Sequence, residues 1–288
     1  MSNVPVEPST ATGTAHRPAY LRVLLTFARN SLVRDMTFRL NFIIECVTSL
    51  CWMLMNLGFY ILIFNYTPEI GAGTGWGKYQ FFVFLATTLL VNSFVQGVFM
   101  TNFNEFSELI RTGNLDFALL KPIDTQFVIS LARINWTFLA NFSAGLFLLV
   151  FSLWKLAIVP GLWQLVLYPL YVVCGIAILY SLMIVLASLS VWLGRNQSLY
   201  DFWFYITNFS RYPMEIYRGT FGDVLRLGFT FVVPILIVVN VPARLMAWPL
   251  AEQQWGLAAV AIVATAASLF VSRRVFLAAL AGYRSASS

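Results

Sequence analysis

The chain is poor in the side chains that carry out chemistry. Of 288 residues only 12 are acidic, three are cysteine and one is histidine. His16 lies in a polar N-terminal stretch, outside every apolar segment. A His-based metal site, a membrane-embedded Ser-His hydrolase and a histidine-ligated haem bundle each need an imidazole inside the fold, so all three are excluded. Cys46, Cys51 and Cys174 fall within long apolar runs, which implies no disulfide framework and makes each an apolar filler. Charged residues are only 10% of the chain, hydrophobic residues are 59%, and mean hydropathy is +0.77. A soluble domain of this length cannot bury so much apolar surface, and the surplus must face lipid.

What is present is a series of apolar runs of bilayer length. Hydrocarbon about 30 Å thick takes roughly 20 helical residues. Six runs qualify: 41–64, 80–100, 127–153, 165–193, 224–241 and 255–271. None alternates apolar with polar residues, which argues against an outer-membrane barrel and leaves helices to satisfy the buried backbone. The sequence therefore predicts an all-α, polytopic membrane protein with a six-helix transmembrane domain over 41–272. Residues 1–19 are rich in Ser, Thr, Pro and Ala, lack the apolar core of a secretory signal, and read as a disordered cytoplasmic tail. Over 20–40, Arg22, Thr26, Arg29 and Asn30 share one helical face and leucines the other, which predicts an interfacial amphipathic helix; a downward extension of the first span is the alternative. Residues 273–288 read as a cytoplasmic C-terminal tail.

The positive residues set an expected orientation. With the N-terminus inside, 15 of the 18 Lys and Arg fall on cytoplasmic flanks and only Lys78, Lys155 and Arg244 lie outside. Six spans then place both termini in the cytoplasm. The net charge of +6 is a topology signal on this reading, with no nucleic-acid partner implied. Apart from Arg226 near the start of the fifth run, only Glu45 and Arg133 are charged within the runs. Both lie towards the cytoplasmic end and can snorkel, so nothing resembles a proton relay. Residues 72–78, A-G-T-G-W-G-K, imitate the start of a phosphate-binding loop, but Tyr79 stands where Ser or Thr should hold Mg²⁺ and no strand precedes it. They read as a Gly-rich external loop.

The longest polar stretch between runs, 101–126, carries more information. Asn104 is expected to cap a helix over 105–112, and Gly113-Asn114 supplies its left-handed stop. A second short helix over 115–120 ends at Lys121-Pro122. Phe103, Phe106, Leu109, Ile110, Leu115, Phe117, Leu119 and Leu120 give this loop an apolar surface that packs on the membrane interface or docks into a partner.

At these residues the sequence resembles a known family. Ile110-Arg111-Thr112-Gly113-Asn114-Leu115-Asp116-Phe117-Ala118-Leu119-Leu120-Lys121-Pro122-Ile123 is similar to the I-R-x-G-x-L-D-x-x-L-L-[KR]-P signature of ABC-2 type transporter permeases, in their short six-helix bacterial branch. Arg211-Tyr212-Pro213-Met214-Glu215-Ile216-Tyr217, the Pro234 and Pro242 neighbourhoods and the Tyr- and Ser-rich ending resemble it too. The resemblance implies a bacterial inner-membrane exporter subunit with no ATPase of its own and no cofactor. ATP and Mg²⁺ would be bound by a separate cytoplasmic ABC ATPase dimer. The 101–126 loop would be the coupling helix, with Glu105, Glu108, Arg111, Gly113, Leu115, Asp116, Lys121 and Pro122 as ATPase contacts and Arg22 and Arg29 as a second contact.

Two features concern the path itself. Pro234, Pro242 and Pro249 interrupt 224–250, so the outer half is expected to bend back as re-entrant helices and form an extracellular gate, with a simple kink as the alternative. Residues 199–209 read as an interfacial aromatic belt. A path needs more than six helices, which implies a dimer with a second copy or a paralogue. Asn92, Gln96, Thr230 and Asn240 are lining candidates, interhelical hydrogen bonding being the alternative. Two other function classes are a non-transporting membrane scaffold or assembly factor and a passive channel. A scaffold needs no docked ATPase at 101–126, and a channel would show polar rings along a span, which are missing.

Overall fold

The computed structural model describes residues 19–193, 204, 205 and 207–283, and no strand occurs among them beyond one isolated bridge, Glu69 with Gly77. The helices are α1 (Tyr20–Thr37), α2 (Arg39–Ile63), α3 (Lys78–Val95), α4 (Thr101–Thr112), α5 (Leu115–Leu119), α6 (Thr125–Leu131), α7 (Phe138–Lys155), α8 (Leu162–Leu193), α9 (Thr220–Leu227), α10 (Leu236–Ala247) and α11 (Trp255–Gly282). Five stretches are long and apolar enough to cross a membrane: Arg39–Ile63, Lys78–Ile110, Phe138–Lys155, Leu162–Val191 and Trp255–Gly282. The pair Thr220–Val232 and Leu236–Ala247, bent by 90°, would be a sixth if it counted as one span.

α3 is the centre of the bundle. Phe81, Phe82, Val83, Phe84, Ala86, Leu90, Val91 and Val95 are buried on all its sides, and α7, α8 and α10 pack around it. α2, in contrast, exposes Ile43, Ile44, Val47, Trp52, Leu54, Met55, Phe59 and Leu62 and buries only Tyr60, as a lipid-facing helix should. Small residues bring the backbones close. A Cβ on Gly175 of α8 would sit 2.7 Å from the Val238 carbonyl oxygen of α10, so only glycine fits. The polar residues inside satisfy themselves on the preceding turn: Thr87 donates to the Val83 carbonyl (2.8 Å), Thr88 to Phe84 (2.9 Å) and Ser188 to Ile184 (2.7 Å).

The bundle has two ends of different character. At one, the α4 end, α1 clamps onto the segment before α7. The Ile134 N–H donates to Ser31 Oγ (3.0 Å), the Trp136 N–H to Asp35 Oδ2 (3.1 Å) and the Trp136 indole to the Ala28 carbonyl (3.1 Å). α11 finishes at this same end, where Arg273 bonds Asp124 at 2.6 Å. At the other, the Trp76 end, the 65–77 connection meets the segments that flank α9 and α10.

Three of the apolar runs depart from their expected course. The second does not stop at Met100. With no Pro between Gln96 and Thr112, the helix continues through a π turn at Gln96–Met100 into α4, so Asn104 lies inside a helix and caps nothing. The third run splits, because a polar cluster captures its backbone. Asn102 Oδ1 accepts from the Arg133 N–H (2.9 Å), and Asn135 Oδ1 accepts from the Thr137 N–H (2.9 Å). α6 ends at Leu131, the crossing helix starts at Phe138, and Arg133 lies in the break, outside any span.

The fifth run is the bent pair, and its two ends meet. Glu215, ahead of α9, forms an ion pair with Arg244 near the end of α10. The pair thus leaves and returns to one point, the geometry expected of a re-entrant hairpin. The expected bend at Pro234 is present, between Val232 and Leu236, whereas Pro242 sits within α10 without breaking it. The same geometry corrects the charge count. Arg218 bonds the Ala72 and Gly73 carbonyls and Tyr212 lies beside Tyr60, so Arg211 and Arg218 go with the Trp76 end and not with the α4 end. α11 also runs on through the segment expected as a tail, to Gly282. The tail over 1–18, most of the aromatic stretch 199–209 and the ending beyond Tyr283 lie outside the described residues.

Candidate functional site

Two surfaces carry the candidate residues, one at each end of α3. At the α4 end, α4 continues the central helix past the bundle. Its apolar side is anchored: Phe103 and Phe106 are buried, and Phe106 faces Phe276 of α11 at 6.1 Å between ring centres. Glu105 pairs with Arg133, tying α4 to the break before α7. Gly113 closes α4 in the left-handed region at φ +73°, its N–H donating to the Ile110 carbonyl at 3.2 Å. α5 then turns back. Leu115 and Ala118 are buried and hold it down, while Phe117 (69% exposed) and Leu120 (81%) project outward beside the exposed Lys121 and Pro122.

The flanking charges fix this knob in place. Asp124 caps α6 by accepting from the Phe127 N–H (3.1 Å) and pairs with Arg273. Burial alone would raise its carboxyl, but the Arg273 hydrogen bond, the Phe127 N–H and the Arg273 charge outweigh this and hold it below the usual carboxylate range. At the far end of α11 the Tyr283 phenol is pushed up by burial and by the neighbouring Asp116 carboxylate.

The predicted contacts thus separate. Glu108, Lys121 and Pro122 lie on the outer surface of the knob, Glu105 is engaged with Arg133, Asp116 lies beside Tyr283, and Leu115 is an internal anchor. The side chain of Arg111 is outside the described ones. Arg22 and Arg29 are exposed on α1, which packs at this same end.

The surface at the Trp76 end is built around side chains that sequence reasoning passed over. Trp76 is fully buried, and its indole donates to Glu215 Oε2 at 2.9 Å. Glu215 also pairs with Arg244, which lies 5.1 Å from the Trp248 ring, and Trp248 meets Trp76 edge-on at 4.5 Å. Gln164 Nε2 reaches the Leu245 carbonyl (2.8 Å), and Gln253 Nε2 the Arg244 and Trp248 carbonyls (3.1 Å each), covering the end of α10. Asn240, expected to line a path, is wholly buried. It accepts from the Met214 N–H (2.8 Å) and donates to the Leu236 carbonyl (2.6 Å), which is the structural role weighed against lining. Thr230 is buried in the hairpin, Asn92 half-buried on α3, and Gln96 exposed at the π turn. Pro249 opens a short turn, Leu250–Glu252, after α10.

The Gly-rich segment is not a free phosphate cradle. Gly71, Gly73 and Gly75 take positive φ (79°, 68° and 76°) and wrap the carboxylate of Glu69, which accepts from the Gly73 and Gly75 N–H groups. Those backbone bonds hold the Glu69 carboxyl below its usual range. Among the described residues no cluster of three metal-ligating side chains occurs.

A family model described as ABC-2 family transporter protein matches residues 50–287. The chain belongs to the ABC-2 transporter family. No characterised protein and no solved structure matches it. In this ABC-2 chain the matched region begins within α2 and takes in both surfaces, the α4–α5 knob and the Trp76 end. The family is a membrane subunit and not the ATPase, and the chain is accordingly a multi-pass membrane transporter component.

Proposed function

We propose that the chain is the permease subunit of an ATP-driven exporter in a bacterial inner membrane, working as a dimer with a second copy or a paralogue. A separate cytoplasmic ABC ATPase dimer binds ATP and Mg²⁺ and docks on the α4–α5 knob, and both termini lie on the cytoplasmic side. One observation carries this reading: the helix that presents the knob is the same helix that forms the core of the bundle. Lys78–Ile110 is one stretch of 33 residues, about 50 Å long, buried for most of its crossing. A load applied at Phe117 and Leu120 therefore reaches the membrane core without passing through a flexible loop.

Orientation gains support from the side chains at the α4 end. It gathers Arg22, Arg29, Arg34, Arg39, Lys121, Arg133, Arg273 and Arg274, and this excess survives the reassignment of Arg211 and Arg218 to the other end. The Trp76 end is then external, and the hairpin over α9 and α10 is its cover.

The test is to purify the chain with the ABC ATPase encoded beside it and to measure ATP turnover. Gly113→Pro cannot adopt a positive φ and should uncouple turnover from the membrane domain. Leu120→Asp should release the ATPase, and Asp116→Ala should reduce stimulation. Unaltered complex formation and turnover in all three variants would refute docking at the knob.

A further inference from the structure

A cavity of about 350 Å³ opens between α2, the π turn after α3 and the start of α7, beside the membrane-length helices α2 and α7. Its lining is polar where lipid-facing surface should be apolar: Glu45 and Thr48 from α2, Ser93 and Gln96 from the central helix, and Asn141 with the Phe138 ring from α7. Glu45 stands six residues into α2, about 9 Å along its axis. Its Oε1 accepts from Asn41 Nδ2 at 2.8 Å, and no Lys or Arg among the described residues pairs with it. Asn141 Oδ1 is buried and has no hydrogen-bond partner. Ile44, Glu45 and Thr48 are exposed at the mouth, so access is sideways, from the bilayer.

These features select a ligand. A carboxylate without a cationic partner at the edge of the hydrocarbon is costly unless a cation meets it, and a buried amide oxygen without a donor is costly in the same way. The cavity thus offers acceptors in want of an N–H donor with positive charge, and the Phe138 ring adds a face that attracts cations. No Lys or Arg lines it, which leaves an anionic headgroup without a partner. The π turn next to Gln96 widens the helix at this depth. Gly97 lies directly under Phe138, where a Cβ would come within 2.4 Å of that side chain, so the wall is fixed by close packing.

We propose that this cleft binds the ammonium head of a cationic amphiphile whose chain stays in the lipid, and that Glu45 and Asn141 are its recognition groups. The assignment of the cleft as a cargo-entry site rests on the exporter reading above. The binding itself does not.

The experiment uses the full chain in phosphatidylcholine nanodiscs, without ATPase or nucleotide. Dodecylammonium is titrated against dodecanol and dodecyl sulfate, which share its chain, with empty nanodiscs subtracted. The expected result is one saturable site for dodecylammonium, at least tenfold tighter than for dodecanol, with none for dodecyl sulfate. Glu45→Gln should weaken it about tenfold, Glu45→Asp should keep the preference for the cation, and Asn141→Leu should weaken binding several-fold. Equal binding of the three amphiphiles, or wild-type affinity in Glu45→Gln, overturns the proposal. A cation-selective site in a chain that recruits no ATPase would support the cleft and remove the exporter reading, whereas a coupled complex without cation preference would do the reverse.

Discussion

Removing Glu215 should detach the hairpin at the Trp76 end, and the cost can be worked from its partners. Glu215 is 8% exposed and accepts from both the Trp76 indole and the Arg244 guanidinium. The two charged side chains are 11% and 17% exposed, well below the level at which solvent screening would erase the pair. Glu215→Leu keeps the volume but leaves the Arg244 charge and an indole N–H without an acceptor. Breaking one side of a buried pair costs about 3–5 kcal/mol. At the lower end, local opening of 211–218 and α10 becomes roughly 100-fold more frequent. Replacing both partners, Glu215→Leu with Arg244→Leu, removes the stranded charge and should cost only about 1–3 kcal/mol, the share of the unmatched indole. Hydrogen exchange of the Met214 and α10 amides in nanodiscs reads this directly. The double variant should exchange more slowly than Glu215→Leu alone, while α7 stays unchanged. Additive effects, or acceleration spread evenly over α7 and α11, would refute the ion-pair account.

Further outcomes follow from other contacts. Gly175→Ala drives a methyl into the Val238 carbonyl and should cost about 1–3 kcal/mol, seen as faster exchange of α10 before any change in α7. The Asp124 carboxyl is held below its usual range, so the stability it contributes is complete above the unfolded value of about 3.9 and is lost as pH falls through the lower folded one. Proteolysis near α6 should therefore rise as pH drops below about 4, and Asp124→Asn should flatten that response. Gly113→Ala, forced to a positive φ, should cost about 1–2 kcal/mol at the end of α4 and weaken ATPase stimulation less than Gly113→Pro.

Where the sequence could be read, one kind of physics decided the outcome. The runs at 41–64 and 165–193 match α2 and α8 within a few residues because nothing within them competes with helix formation and lipid. The left-handed stop at Gly113 was equally legible, since only glycine takes that conformation without strain. The failures share a different cause. Asn104 looked like a cap because a polar residue often ends a helix, but α4 is held by Phe106 against Phe276, a contact 170 residues away in sequence. The break at 132–137 depends on Asn102 reaching across from the central helix to Arg133. Glu215 stood in a family-like stretch, but its role was not legible because its partners Trp76 and Arg244 lie 139 and 29 residues away. Arginine counting misplaced Arg218 for a related reason: it assumed that the chain stays at the α4 end after the 165–193 run, whereas Arg218 is held on the Ala72 and Gly73 carbonyls, 146 and 145 residues away in sequence.

The two ends of the molecule are joined by a single mechanical element. α10 packs directly on α3 and on α8, and the Trp76 indole that holds Glu215 lies just before α3 begins. A tilt of α4 imposed at the knob is carried along the central helix, and its far end is the anchor of the hairpin. The π turn at Gln96–Met100 is the one irregular place on that line, with Asn135 donating its N–H to the Gly97 carbonyl at 2.8 Å and bracing it from the side. Bending should concentrate there, because a π turn carries one residue more than the helix on either side. Paired spin labels at Thr112 and Tyr79 should report a length change when ATP is bound by the partner if the helix bends, and a constant length if it moves as a rod. Cavity residue Gln96 opens this turn and Ser93 lies one turn before it, so a bend would reshape the polar cleft as it shifts the hairpin. A constant Thr112–Tyr79 distance alongside a hairpin that still opens would require force to travel by α8 instead, and would remove the central helix from the coupling route.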